Sequence, residues 1–339
     1  MYYLTPIAER ADSKLEIKDS IEESKALDSN GIPVSYPEKL PVTLSEPNVL
    51  LLDMAEYKMD DGEWKSKEEI LIIDNLFRKE LGYPLRTEAF AQPWTDSEEK
   101  SAVHKLSLRF RIHSEDKVQA PSLALENAEI TKVSLNGASV PSAIAGWYTD
   151  RDIKTILLPD FISGENVLEV TMPFHLKMNV EYMYLLMEES VSVAGRYAAI
   201  SKAERNLFFG DLCPQGLPFY GGNITYEIPV ETKAGELCIE ISRFRCPVIK
   251  AALDGVDKGY IAFSPYRLNL GQVSEGKHTV SVTAYGNRVN TFGTVHKCNQ
   301  KETWIGPNAW RSTGTSWAYE YQLKPSGILI SPRIWFIEK

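Results

Sequence analysis

This chain has few of the residues from which redox, metal and nucleophile chemistry is built. Among its 339 residues are four cysteines and five histidines. Cys213, Cys238, Cys246 and Cys298 form no CxxC pair and no Cys/His cluster with zinc spacing, so free thiols are expected. Cys238 and Cys246 fall near adjoining strand positions, but spacing alone does not define a disulfide. His104, His113, His175, His278 and His296 are scattered, and none has a partner at i+4. GxSxG, HExxH, a Walker loop and a dinucleotide glycine fingerprint are all missing. No apolar run approaches the length of a membrane helix. The start, MYYLTPIAERADSK, lacks a basic region followed by an apolar stretch, so no signal peptide is expected. A complete chain would then be cytoplasmic, while a fragment of a secreted or periplasmic protein would lack the signal equally. The formal net charge of -9 argues against nucleic acid, whose binding rests on Lys and Arg neutralising phosphates.

What is present is a β-unit that occurs twice. The first copy reads ITKVSLNG (130–137) and, after a loop, GENVLEVTM (164–172). The second reads VIKAALDG (248–255), then GKHTVSVTA (276–284). Asn-Gly and Asp-Gly suit tight hairpins because both central residues of a type I′ turn need positive φ. One device found twice in one order predicts two related β-sandwich domains. The chain is long enough for two cores, and 43% hydrophobic with 24% charged residues is ordinary for a globular protein.

The rest of the pattern agrees. Asn48–Met54 is a continuous apolar run expected of a strand buried on both faces. A helix is expected over 67–82. Ser66 and Glu69 read as a capping box, Ile70, Ile73 and Phe77 recur on one face, and Gly82 with Pro84 ends it. Thereafter short strands predominate, including one expected at Tyr319–Leu323. The predicted fold is mainly all-β: two tandem jelly-roll sandwiches with one amphipathic helix near the N-terminal side. Residues 1–47 read as an extension or a remnant of a preceding domain, 48–215 as the first sandwich and 216–339 as the second. The turn-rich stretch Gly210–Asn223 carries the boundary.

Candidate functional residues are aromatic. GWYTD (146–150), PFYGGN (218–223) and a late segment with Trp304, Trp310 and Trp317 place flat rings among Gly, Asn, Ser and Thr. Sugar rings stack on such faces while Asp, Asn and Arg bind hydroxyls. The competing account makes these rings plugs at sandwich ends or domain seams. Glycosidase chemistry needs two carboxyl groups about 5–9.5 Å apart, which sequence does not reveal. Asp53 and Glu56 read instead as a structural strand end. TDRD (149–152) could contribute oxygen ligands to a structural calcium, and no other cofactor is expected.

NVLLLDMAEY, FAQPW, LNGASV, GWYTDRDI, LPFYGGNITYE, YGNRVNTFGTVH and the W-x-G-P…W…Y-x-L-x-P-x-G tail resemble the carboxyl-terminal part of large bacterial glycoside hydrolase-like proteins. These are related to glycoside hydrolase family 2 and to the α-L-rhamnosidase-like proteins of family 106. The resemblance spans about residues 45 to 339 and implies sandwiches similar to galactose-binding-like domains, which follow a catalytic barrel. A barrel takes about 250 residues of alternating strand and helix, and this chain has one good helix. The resemblance therefore implies a non-catalytic module pair that binds or positions carbohydrate, with a barrel as its partner. Its family-like residues are Trp147, Tyr148 and Asp150, then Tyr220 and Asn223, then Arg288, Asn290 and His296. Two alternatives stand beside it: a complete glycosidase or lyase acting between the sandwiches, and a structural brace for a barrel.

Overall fold

The computed structural model describes residues 31–85, 104–178, 180–298 and 316–338. Two strands come first, β1 (Ile32–Pro33) and β2 (Lys39–Leu44). They are followed by β3 (Asn48–Leu52), β4 (Met54–Met59), β5 (Lys65–Glu69), helix α1 (Ile70–Glu80), β6 (His104–Ser114), β7 (Ser122–Leu125), β8 (Lys132–Leu135) and β9 (Ala138–Val140). Then come β10 (Ile144–Tyr148), β11 (Asp150–Leu157), β12 (Gly164–Phe174), β13 (Met183–Met187), β14 (Ser190–Ala194) and β15 (Tyr197–Ser201). The last group is β16 (Asn206–Phe208), β17 (Ile224–Thr232), β18 (Gly235–Glu240), β19 (Phe244–Arg245), β20 (Ile249–Leu253), β21 (Val256–Ile261), β22 (Arg267–Val273), β23 (Gly276–Ala284), β24 (Gly327–Ile328) and β25 (Arg333–Glu338).

The fold is all-β, built as two sandwiches. In one, the sheet β10-β11-β7-β13-β3 covers the sheet β14-β15-β6-β12-β8-β9, which β4 and β5 extend beside β6. In the other, β1-β25-β18-β22 covers β16-β2-β17-β23-β20-β21. A small β19–β24 pair lies beside them. Pairing is antiparallel among the described strands except for one parallel match, Ile200 with Ser114. Alternation places the cores. Leu168, Val170, Met172 and Phe174 of β12 point at Leu123 and Leu185 of the facing sheet. Ile228 and Val230 of β17 likewise share a core with Leu237 and Ile334.

The arrangement differs from the tandem order expected from the sequence. β1 and β2 do not form an extension or a remnant of another domain. β2 buries Leu40 and Val42 and pairs with β17, and β1 pairs with β25. The sandwich made by β3–β15 is therefore inserted in the chain between β2 and β16, two neighbouring strands of the six-stranded host sheet. The short strands at 32–44 were weak signals because their partners lie far downstream, Tyr226 for Val42 and Phe336 for Ile32.

The duplicated unit is reproduced in detail. Asn136 and Gly137 have φ of 51° and 81°, while Asp254 and Gly255 have 50° and 79°. Each turn is clamped to the returning strand in the same way. Asn136 N–H donates to Val167 O and its Oδ1 accepts from Val167 N–H, both at 2.8 Å. Asp254 does the same with Thr279, at 2.9 and 2.8 Å. The likeness reaches past the hairpin. β6 lies between β4 and β12 as β17 lies between β2 and β23, and β13 joins β3 to β7 as β25 joins β1 to β18.

Helix α1 starts later than expected. Lys65–Glu69 is strand, so Ser66 is not a cap and no capping box forms. Glu69 is itself the N-cap and accepts from Ile72 N–H at 2.9 Å. At the other end Gly82, with φ of 70°, permits the paired bonds Tyr83 N–H to Arg78 O and Gly82 N–H to Lys79 O. The expected apolar face is buried, with Phe77 edge-on to Phe174 at 5.5 Å. Tyr319–Leu323 is not a strand. The Tyr321 hydroxyl goes to Asp53 in the joint described next, and Gln322 N–H to Val295 O.

Candidate functional site at the joint between the sandwiches

The chain enters the inserted sandwich through Ser45-Glu46-Pro47. The LPFYGGN turn is built around this crossing. Ser45 N–H points at both the Tyr220 hydroxyl and Asn223 O, each at 3.0 Å. Asn223 N–H returns a bond to Ser45 Oγ at 2.8 Å, and Asn223 Oδ1 accepts from Gly286 N–H at 3.0 Å. Glycine is needed here: a Cβ on Gly286 would lie 2.0 Å from Gly221 O.

Arg288 then closes the joint. It grips Glu46 with both arms, Nη1 to Oε1 and Nη2 to Oε2 at 2.7 Å, and Nη1 also donates to the Tyr148 hydroxyl at 2.9 Å. A forked guanidinium–carboxylate pair of this kind adds geometric specificity to charge. Tyr148 packs against Tyr184 and Phe292, and burial pushes its hydroxyl pKa upward.

A second lock lies deeper. Asp53 directly follows β3, and its backbone O accepts the first helical N–H, that of Ile70. Its carboxylate is 1% exposed and receives His296 Nε2 and the Tyr321 hydroxyl, each at 2.7 Å. His296 Nδ1 is 3.0 Å from Ala318 O. Both ring nitrogens thus face acceptors, which two N–H groups satisfy in the imidazolium form. Burial opposes that charge, but the bond to Asp53 and its negative charge outweigh it, and the His296 pKa is raised. The ring stacks on Tyr321 at 5.1 Å. Asn290 is also structural here, donating to Lys324 O and accepting from Lys324 N–H.

The expected site residues therefore divide. Tyr148, Tyr220, Asn223, Arg288, Asn290 and His296 converge on the joint. Trp147, the neighbour of Tyr148 on β10, points the other way and is 58% exposed, which counts against a plug. Asp150 is exposed, and its Oδ1 accepts from Asp152 N–H at 2.9 Å. Among the described residues no three His, Cys, Asp or Glu converge as a metal site, and the four cysteines form no disulfide with one another. Trp304 and Trp310 lie outside the described residues. Trp317 packs on His296 and Tyr319. Sequence reasoning missed Glu46 and Tyr321, and read Glu69 only as part of a capping box. The only signal at Asp53 was a charge ending an apolar run.

A cleft of about 480 Å³ opens between the β14–β15 hairpin and β16. Its walls include Ser192, Lys202, Glu204, Phe208 and Gln215. Glu204 is the one carboxylate in that lining, and its Oε1 accepts from the N–H groups of Arg205 and Asn206. A carboxylate pair across a scissile bond is not formed there.

No known family model and no curated protein matches the chain. Solved structures overlap it partially. A rhamnosidase from Novosphingobium sp. PP1Y is 18% identical over 70% of this chain and 23% of its own, with a TM-score of 0.29. A beta-D-mannosidase from Dictyoglomus thermophilum is 12% identical over 71% of this chain and 31% of its own, with a TM-score of 0.24. An anti-sigma factor domain-containing protein from Clostridium clariflavum is 8% identical over 70% and 90%, with a TM-score of 0.18. The chain spans less than a third of the two glycosidases, and overlaps this loose carry no argument about activity.

Proposed function

We propose that this chain is a non-catalytic pair of β-sandwich modules from a glycoside hydrolase-like protein, one that binds or positions carbohydrate. The observation that carries the reading is the joint. Glu46, Asp53 and His296 are acid and base groups gathered there, and each of the three is spent on a structural partner. Groups so occupied hold two sandwiches in one orientation and are not poised to move a substrate proton. The exposed ring of Trp147 then offers a flat face on a rigid frame. A catalytic barrel is the partner such a frame would serve.

The brace reading is favoured by a specific observation as well: five of the expected ligand residues, Tyr148, Tyr220, Asn223, Arg288 and His296, are committed to the joint. Sugar titration of wild type and Trp147→Ala by NMR separates the two. Sugar-induced shifts at the β10–β11 hairpin that disappear in a Trp147→Ala protein of unchanged melting temperature are expected. Binding that survives the substitution would remove Trp147 from the site. Aryl rhamnosides, galactosides and glucosides should not be turned over, and hydrolysis abolished by a carboxylate substitution in this chain would overturn the non-catalytic reading.

A further inference from the structure

The duplication lets the outer faces of the two matching sheets be compared residue by residue. The turn clamps fix the register, since Val167 and Thr279 occupy the same place. Four residues on, Thr171 matches Thr283. Thr171 lies between Ser107 and Lys132, with the two hydroxyls 2.9 Å apart. Thr283 lies between Thr225 and Lys250, with hydroxyls 2.8 Å apart. One row of each face is thus nearly the same.

The next row is not. On the inserted sandwich Glu169 faces Arg109, which faces Glu56, and the chain covers this row itself. Arg109 bonds Glu169 at 2.7 Å and lies 3.7 Å over the ring of Trp64, from the β4–β5 hairpin. On the host sandwich Ser281 and Glu227 stand in the same row, joined at 2.7 Å through Glu227 Oε2. The rim beside them is aromatic. Tyr260 sits on edge strand β21, opposite Lys250 and 55% exposed, and its ring is 6.4 Å from that of Tyr285. Residues paired directly across antiparallel strands point to the same face, so Tyr260, Lys250, Thr283 and Thr225 share one surface.

The chemistry of that surface selects its occupant. Strands about 4.8 Å apart array hydroxyl donors and a carboxylate acceptor at spacings that suit the hydroxyls of linked sugars. The two tyrosine rings supply faces for C–H stacking. The ammonium of Lys250, the cation in the tyrosine–threonine row, is already paired with Asp257 at 2.7 Å and so is not held open for an acidic ligand. We propose that the outer face of the host sheet, running from Tyr260 and Tyr285 across Thr283 and Thr225 to Ser281 and Glu227, binds a neutral oligosaccharide. The site is separate from Trp147, and the inference rests on the carbohydrate-facing reading above.

Affinity gel electrophoresis of the full chain in galactomannan, xyloglucan, dextran and polygalacturonate tests it. At least one neutral polysaccharide should retard the wild type. The Tyr260→Ala/Tyr285→Ala variant should lose about tenfold or more in affinity, a loss near 1.4 kcal/mol. Glu227→Gln should weaken retardation in the same gel, and both variants should melt with the wild type. Equal retardation of wild type and the tyrosine variant, with loss only in Trp147→Ala, would overturn this site and leave the module function standing. Retardation by polygalacturonate alone would overturn the neutral ligand. No retardation in any gel would overturn both.

Discussion

Glu69→Gln should change how the stability of this protein depends on pH. Glu69 is 2% exposed at the start of α1, with one oxygen on Ile72 N–H. Its other oxygen is buried without a close hydrogen bond, beside Tyr182. Burial, partly offset by the bonds to backbone N–H, pushes its pKa from 4.5 up to about 7. The folded state therefore holds this proton more tightly than the unfolded chain. Its contribution is fully present below about 4.5 and is lost as pH rises to about 7. At 1.36 kcal/mol per pH unit, the loss across that window is at most about 3–4 kcal/mol. His296 acts in the same direction but later. Its raised pKa gives stability that is full below 6.5 and falls as pH climbs through the folded value. Glutamine keeps an acceptor for Ile72 and cannot ionise, at a capping cost of about 1 kcal/mol. Urea denaturation at pH 5, 6, 7 and 8 reads the difference. The variant should fall less steeply than wild type between pH 5 and 7, leaving mainly the His296 slope. Parallel profiles for the two proteins would refute the argument.

Phe77→Ala removes a fully buried ring packed on Tyr57 and Phe174, and should cost roughly 3–5 kcal/mol in chemical denaturation; a loss under about 0.5 kcal/mol would mean the face is not part of the core. Gly137→Val and Gly255→Val place side chains where φ is 81° and 79°, and each should destabilise its sandwich by about 1–2 kcal/mol. Since the turns match, the two losses should be similar in thermal denaturation. A neutral outcome at either would contradict the shared turn geometry.

Features set by neighbours in the chain were legible in the sequence. Asn136-Gly137 and Asp254-Gly255 announced their turns because positive φ is a local demand. Ile70, Ile73 and Phe77 announced a buried helix face because spacing of three and four puts them on one side. The helix start was misread because Ser66 and Glu69 matched a capping pattern, while pairing with β4 held Lys65–Glu69 extended.

Tertiary structure decided the rest. Local pattern could not show that β2 pairs with β17 across an inserted sandwich, because a six-residue strand carries no record of its partner. Nor could it separate Trp147 from Tyr148. Alternation says that they face opposite ways, but only the packed joint shows which one meets Arg288 and which meets water. The sequence by itself determined two β-units of one kind. Their nesting, and the burial of aromatic and charged residues between them, arose from contacts between residues far apart in the chain. Such contacts form only when the whole chain is folded, so their energies leave little trace in any short stretch of sequence.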